Sequence, residues 1–396
     1  MKYDFTTILD RFGKDAIAVD APPALPKEGF DLIPMWVADM NFPVVPTIQQ
    51  TLIERIQHPT FGYFNPRKEY FDAIIHWQET RNNVTGLMKM HIGFENGVIG
   101  GVVNALSVFC SRGDKVLIHS PTYNGFVNSM KNSGYDLIYS PLSYDENGVW
   151  RMDFADMEKK IIDNKIHAAI FCSPHNPTGR VWEKWEIEQA MELFRKHDVM
   201  VVSDEIWSDL IRPDCKHIPT QSVSEDAKMR TVAMYAPTKT FNLAGITGSY
   251  HIIYNKMIRE RCEKESSICH YNNMNVMSMH ALIGAYSEEG QEWVNELNEV
   301  IAGNIDYACD FIEKELPGVK VCKSHGTYML FIDCKEYLES HGKTLDEVVQ
   351  AGWDVGVCWM SGKPYHGMTH MRINLALPLS RVKEAFDRMK KYVFVE

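Results

Sequence analysis

Between about residues 47 and 290, short runs of β-branched and apolar residues alternate with stretches whose apolar positions recur every three or four residues. The runs KVLIHSP (115–121), YDLIYSPL (135–142), HAAIFCSP (167–174), VMVVSDE (199–205) and TVAMYAP (231–237) are nearly continuous in apolar residues, the pattern of strands buried on both faces. WEIEQAMELFRKH (185–197) has the spacing of an amphipathic helix. Such alternation predicts a largely parallel sheet covered by helices. Ahead of it, Pro22, Pro23, Pro26, Pro34, Pro43 and Pro46 rule out long regular helix and predict an extended arm of the kind that packs across a neighbour. Beyond residue 290 a long helical pattern (293–316) leads into KVCKSHGTYMLFIDC, MRINLALP and a closing helix from about Ser380, a smaller α+β arrangement. The expected organisation is α/β, with a large domain over 47–290 and a second unit built from the arm, 1–46, and a small domain, 291–396.

At 396 residues the chain exceeds what one hydrophobic core usually serves, which agrees with two unequal domains. Forty-one basic against 52 acidic residues leave a formal charge of −11, and the basic residues form no run, so nucleic acid is not an expected partner. The first residues are charged where a signal peptide needs an apolar stretch, and no segment reaches about 18 uninterrupted apolar residues, so no membrane association and a cytoplasmic location are expected. Nine scattered cysteines without a Cys-x-x-Cys pair suggest free thiols, several of them buried, and no metal site.

Ligands of open α/β sheets bind beyond the carboxyl ends of the strands, and four of the predicted strands end in polar or turn-forming groups there. Lys239 follows TVAMY among small and hydroxyl residues. Asp204 ends VMVVSDE, where a partly desolvated carboxylate needs a cation to stay ionised. Asn176 stands in the turn SPHNPTG and has an amide to donate to an anionic oxygen. Taken singly, these residues read equally as a solvated lysine, a helix cap and an ordinary turn. Together they supply what pyridoxal 5′-phosphate needs: an amine for the aldehyde, an acid beside the pyridine nitrogen and a donor for the ring oxygen.

The ordered set NPTG (176–179), SDEIW (203–207) and TKTFNLAG (238–245) resembles the fold type I pyridoxal-phosphate enzymes, the aspartate aminotransferase superfamily. With PMWVADMNFPVVP, FGYFNP, SPTYNGF and MRINLALP, the chain is similar over nearly its whole length to the MalY/PatB subgroup of cystathionine β-lyases. The resemblance implies a large domain with a mostly parallel seven-stranded sheet plus a smaller α+β domain. It implies that Lys239 forms the Schiff base to the cofactor and moves the substrate proton, that Asp204 pairs with the pyridine nitrogen, and that Asn176 bonds the ring hydroxyl. Tyr123 would stack on the ring and serve catalysis with Lys239 and Asp204. Gly97, Val98, Ile99 and Thr238 would hold the phosphate, joined by Tyr63 from a neighbouring subunit, which implies a homodimer with shared sites. Arg372 would bind the carboxylate of a small amino-acid substrate, a task suited to a planar guanidinium fork, with Trp36, Ala38 and Asn176 lining the substrate site.

Four positions depart from the pattern. Trp207 replaces the Tyr or His of relatives, and its indole donates one hydrogen bond and accepts none. Ala236 and Thr247 stand where a phosphate-binding Ser and Arg are usual, and Asn41 replaces an expected Asp. The reading that follows is a carbon–sulfur β-lyase cleaving L-cystathionine or related S-substituted cysteines to a thiol, pyruvate and ammonia. An aminotransferase would use the same lysine, aspartate and asparagine, and some members of the subgroup are cofactor-binding regulatory proteins, so those two readings stand beside it.

Overall fold

Seven strands build the main sheet of the computed structural model, which describes residues 1–268 and 270–395. They are β1 (Ile92–Glu95), β2 (Lys115–Ser120), β3 (Asp136–Pro141), β4 (Ala168–Cys172), β5 (Met200–Asp204), β6 (Thr231–Tyr235) and β7 (Ser249–Ile252). Their spatial order is β1-β7-β6-β5-β4-β2-β3, and β7 alone runs against its neighbours. The sheet is thus mostly parallel and seven-stranded, as expected.

The five strands predicted from continuous apolar runs all form. Their side chains enter packed layers on both faces, with Val116, Ile170 and Val202 in one and Leu117, Phe171 and Val201 in the other. Full burial of each such side chain stabilises by about 1.5–3 kcal/mol. The two strands that the pattern did not reveal, β1 and β7, each carry a polar residue in the core. Glu95 and His251, on adjacent strands, break the apolar runs, and a hydrogen bond of 2.7 Å between them offsets part of the cost of their burial.

The C-terminal part contributes β8 (Lys320–Val321), β9 (Met329–Asp333), β10 (Met360–Ser361) and β11 (His370–Asn374), an antiparallel sheet in the order β8-β9-β11-β10. Helix α1 (Val98–Phe109) follows β1 and helix α2 (Asn124–Ser133) follows β2. The long helix α3 (Glu288–Glu315) starts earlier than its apolar pattern, because Ser287 caps it by accepting the Gly290 N–H at 3.1 Å. Its buried stripe, from Trp293 through Leu297, Ile301 and Ile305 to Ile312, shares one core with β9 and β11. The closing helix α4 spans Leu379–Arg388.

The N-terminal arm packs on its own chain. Ile33 and Pro34 pair in parallel with Val357 and Cys358, and the Phe5 ring lies edge-on to Phe42 at 5.2 Å. Pro46 does not end the arm but opens the helix Pro46–Gln57, where its fixed φ and missing N–H cost nothing. Among the described residues, no helix is long and apolar enough to cross a membrane and no cluster suits a metal ion. The eight described cysteines are all free and five are buried; Cys269 lies outside the described residues.

Candidate active site

The carboxyl ends of β1, β2, β4, β5 and β6 open on one cavity of about 420 Å³. The chain crosses from strand to helix or turn at each of these ends, so backbone groups and short side chains meet there without a competing ladder of hydrogen bonds. Of the residues singled out from the sequence, Trp36, Ala38, Gly97, Val98, Ile99, Tyr123, Asn176, Asp204, Trp207, Thr238, Lys239 and Arg372 line the cavity.

Asp204 is buried at the end of β5 and accepts one backbone bond, from Ile206 N–H at 3.0 Å. Burial pushes its carboxyl up to about 7, with the neighbouring Glu205 adding to the rise and Lys239 opposing it. Lys239 lies on the single turn Pro237–Thr240 and donates from Nζ to the Ala38 carbonyl at 3.1 Å. Burial, assisted by the Arg372 charge, lowers its amine to about 8, so near neutral pH a usable fraction is unprotonated. Its Nζ stands 5.8 Å from the Trp207 ring centre, and that ring is buried edge-on against Tyr328.

Arg372, on β11, is 3% exposed, and its hydrogen-bond acceptors among the described residues are amide oxygens, not carboxylates. It donates from Nη2 to the Trp36 carbonyl at 3.1 Å and from Nη1 to Asn176 Oδ1 at 3.4 Å, while Nε is unpaired. Its guanidinium lies 4.3 Å from the Tyr365 ring centre. A buried guanidinium with an unused donor is ready for a planar anion.

Gly97 caps α1 with φ +83° and ψ 147°, a conformation close to glycine-only territory. Its own N–H donates to the Glu95 carbonyl at 3.0 Å, so the donors that the helix leaves over belong to Val98, Ile99 and Gly100. At this helix start Gly97 sets the backbone direction, and the unused N–H groups are those of the residues that follow it. The Thr238 hydroxyl donates to the Gly248 carbonyl at 3.4 Å.

Tyr63 is not brought to this cavity; it stands fully exposed, beside exposed Phe61. Of the departures, Thr247 lines the cavity and Ala236 lies buried outside it. Asn41 accepts from Arg11 Nη1 at 3.0 Å, while its amide nitrogen is buried without a partner. Sequence reasoning missed Tyr365, Met360, Asn124 and Cys172 as lining residues, since nothing in their local pattern separates them from core.

The profile of the family described as Aminotransferase class I and II matches residues 31–389. The chain is similar to the cystathionine beta-lyase PatB of Bacillus subtilis (strain 168), 33% identical over 362 residues that make up 91% of this chain and 92% of PatB. It is also similar to the solved structure of cystalysin from Treponema denticola, which contains a pyridoxal 5′-phosphate cofactor, with 31% identity and a TM-score of 0.90 over 99% of this chain and 98% of that one. The PLP-bound C-S lyase from Staphylococcus hominis matches with 30% identity and a TM-score of 0.88 over 98% of each chain. With a family profile spanning most of its length and a strand order that places these residues around one cavity, the chain belongs to the class I and II aminotransferase family.

Proposed function

We propose that this protein is a pyridoxal-phosphate-dependent carbon–sulfur β-lyase that cleaves L-cystathionine or related S-substituted cysteines to a thiol, pyruvate and ammonia. The observation that carries the cofactor assignment is the meeting in one cavity of a buried carboxyl pushed up to about 7, Asp204, and a partly buried amine lowered to about 8, Lys239. A cofactor with a basic ring nitrogen, an aldehyde and a phosphate fits the donors present. Asp204 would face the ring nitrogen, Lys239 the aldehyde, and the free amides of Val98 and Ile99 with Thr238 the phosphate. Tyr123, Asn176 and Trp207 border the same space and would flank the ring.

When bound, pyridoxal phosphate supplies an electron sink for the pair left at the substrate Cα once its proton is removed. Arg372 would grip the substrate carboxylate through the guanidinium fork, fixing which Cα bond faces Lys239. The Lys239 amine, kept partly neutral by burial, would take the Cα proton. Asp204, ionised beside a cationic ring nitrogen, would hold the ring proton in place. Trp36, Ala38 and Tyr365 line the same cavity as Lys239 and would limit water around the amine. The sulfur then leaves Cβ as a thiolate and takes up a proton, and one water is consumed in forming pyruvate and ammonia.

The lyase reading is favoured over the aminotransferase one because PatB, named a cystathionine beta-lyase, and the two C-S lyase-type structures cover almost the whole chain. The test is pyruvate release from L-cystathionine by the cofactor-loaded protein with no 2-oxo acid present. Sustained multiple turnover with free thiol is expected; turnover that begins only when a 2-oxo acid is added would move the assignment to aminotransferase.

The same reading makes the active form a homodimer with shared sites. Ile53, Ile56, Phe61 and Tyr63 are large apolar side chains left exposed on and just after the helix Pro46–Gln57, a surface that a second copy would cover. A cytoplasmic setting is supported by the eight described cysteines, all of them free.

A further inference from the structure

Lys239 sits on one helical turn, Pro237–Thr240, and an isolated turn has little stability of its own. Side-chain bonds to the surroundings must therefore hold it. Thr240, fully buried, donates its hydroxyl to Asp209 Oδ2 at 2.9 Å. Asp209 is 4% exposed and is gripped by donors from other parts of the chain. Trp77 Nε1 reaches its Oδ1 at 3.0 Å and Arg81 Nε at 3.3 Å, and Asn298 Nδ2, from α3, reaches its backbone carbonyl at 2.9 Å. The Arg81 guanidinium in turn lies 5.2 Å from the Trp77 ring centre. A carboxylate so held is a strong and fixed acceptor.

From these contacts we infer that Asp209 is the positioning residue for Lys239. It lies in the segment that begins at Asp204, so one short stretch of chain and one buried hydrogen bond link the group assigned to the ring nitrogen with the group assigned to the aldehyde. Asp209 touches neither substrate nor cofactor; it acts through Thr240. Placement matters here because a shift of about 1 Å at a reacting group costs about a hundredfold in rate. This inference rests on the assignment of Lys239 above.

The experiment compares wild type, Thr240→Ser and Thr240→Val, where valine keeps the volume but deletes the hydroxyl. Pyridoxal phosphate is added to cofactor-free protein, the adduct is trapped with borohydride and the modified lysine is located by mass spectrometry as a function of time; pyruvate release is measured in parallel. Wild type and Thr240→Ser are expected to label Lys239 at equal rates. Thr240→Val is expected to label it more slowly and to lose about a hundredfold in kcat with KM within about twofold. Thr240→Ala repeats the comparison if valine does not fit. Labelling and kcat within twofold of wild type in a folded Thr240→Val or Thr240→Ala variant would overturn the inference and leave Lys239 as the cofactor lysine. No label on Lys239 in wild type would overturn the functional reading, and this inference with it.

Discussion

Asp204 and Lys239 leave their ordinary titration ranges in opposite directions for one cause, loss of water around the charged form. The sign of each effect on stability follows from proton linkage. Folded Asp204 keeps its proton up to about 7, whereas the unfolded chain releases it at the ordinary value of 3.8, so its contribution falls as pH rises through that window. Folded Lys239 loses its proton at about 8 rather than 10.5, so its contribution rises with pH across that window. Denaturant midpoints of the cofactor-free protein are therefore expected to fall less steeply between pH 4 and 7 in Asp204→Asn than in wild type; parallel curves would show that Asp204 titrates normally. Arg372 is a second buried group that costs stability, since its guanidinium is buried without an anion. Arg372→Met should melt at the same or a higher temperature than wild type while kcat/KM for L-cystathionine falls by roughly ten- to a hundredfold, the worth of a charged hydrogen bond.

At the scale of elements, the site depends on how strands hand over to helices. The junction of β1 and α1 turns on Gly97, whose φ of +83° lies in the left-handed half of the map. A Cβ there would meet nothing within 4 Å, so an alanine is opposed by backbone conformation rather than by a clash. Gly97→Ala is expected to cost about 1–3 kcal/mol of unfolding free energy. It should also weaken pyridoxal phosphate uptake, because relaxing φ re-aims the Val98 and Ile99 amides. Equilibrium unfolding and a cofactor titration check the two parts separately. The handover from β6 to the lysine turn differs, because the turn has no side-chain cap and Thr240 ties it to Asp209, which Asn298 of α3 fixes in turn.

For the whole molecule, the exposed Tyr63 and its apolar neighbours give the sharpest expectation. Light scattering should give twice the chain mass of 45.5 kDa. If Tyr63 completes a partner's site, Lys239→Ala and Tyr63→Ala are each nearly inactive. After subunit exchange of an equal mixture, activity should recover to roughly a quarter of wild type, because half the dimers are mixed and each has one intact site. Recovery absent from a mixture shown to contain mixed dimers would leave Tyr63 outside the site.

Much of this architecture was legible from local pattern. Strands covered on both faces are apolar at most positions, so β2, β4, β5 and β6 announced themselves, as did the half-buried edge strand β3 through Leu137, Ile138 and Tyr139, and Asn176, Asp204 and Lys239 stood near strand ends in short ordered motifs. β1 and β7 stayed hidden because Glu95 and His251 interrupt their apolar runs, and the hydrogen bond that offsets part of the pair's burial cost joins strands more than 150 residues apart. The same separation hid Tyr365 and Met360, which reach the cavity from the C-terminal part, and Asp209, whose partners are Trp77, Arg81, Thr240 and Asn298. The sequence by itself determined which segments are strands and which residues have the chemistry, because both depend on side-chain type and near-neighbour spacing. Only the tertiary structure decided which carboxyl is stripped of water and cations, which guanidinium is left with a free donor and which carboxylate anchors the lysine turn, because desolvation and pairing are set by groups far apart along the chain.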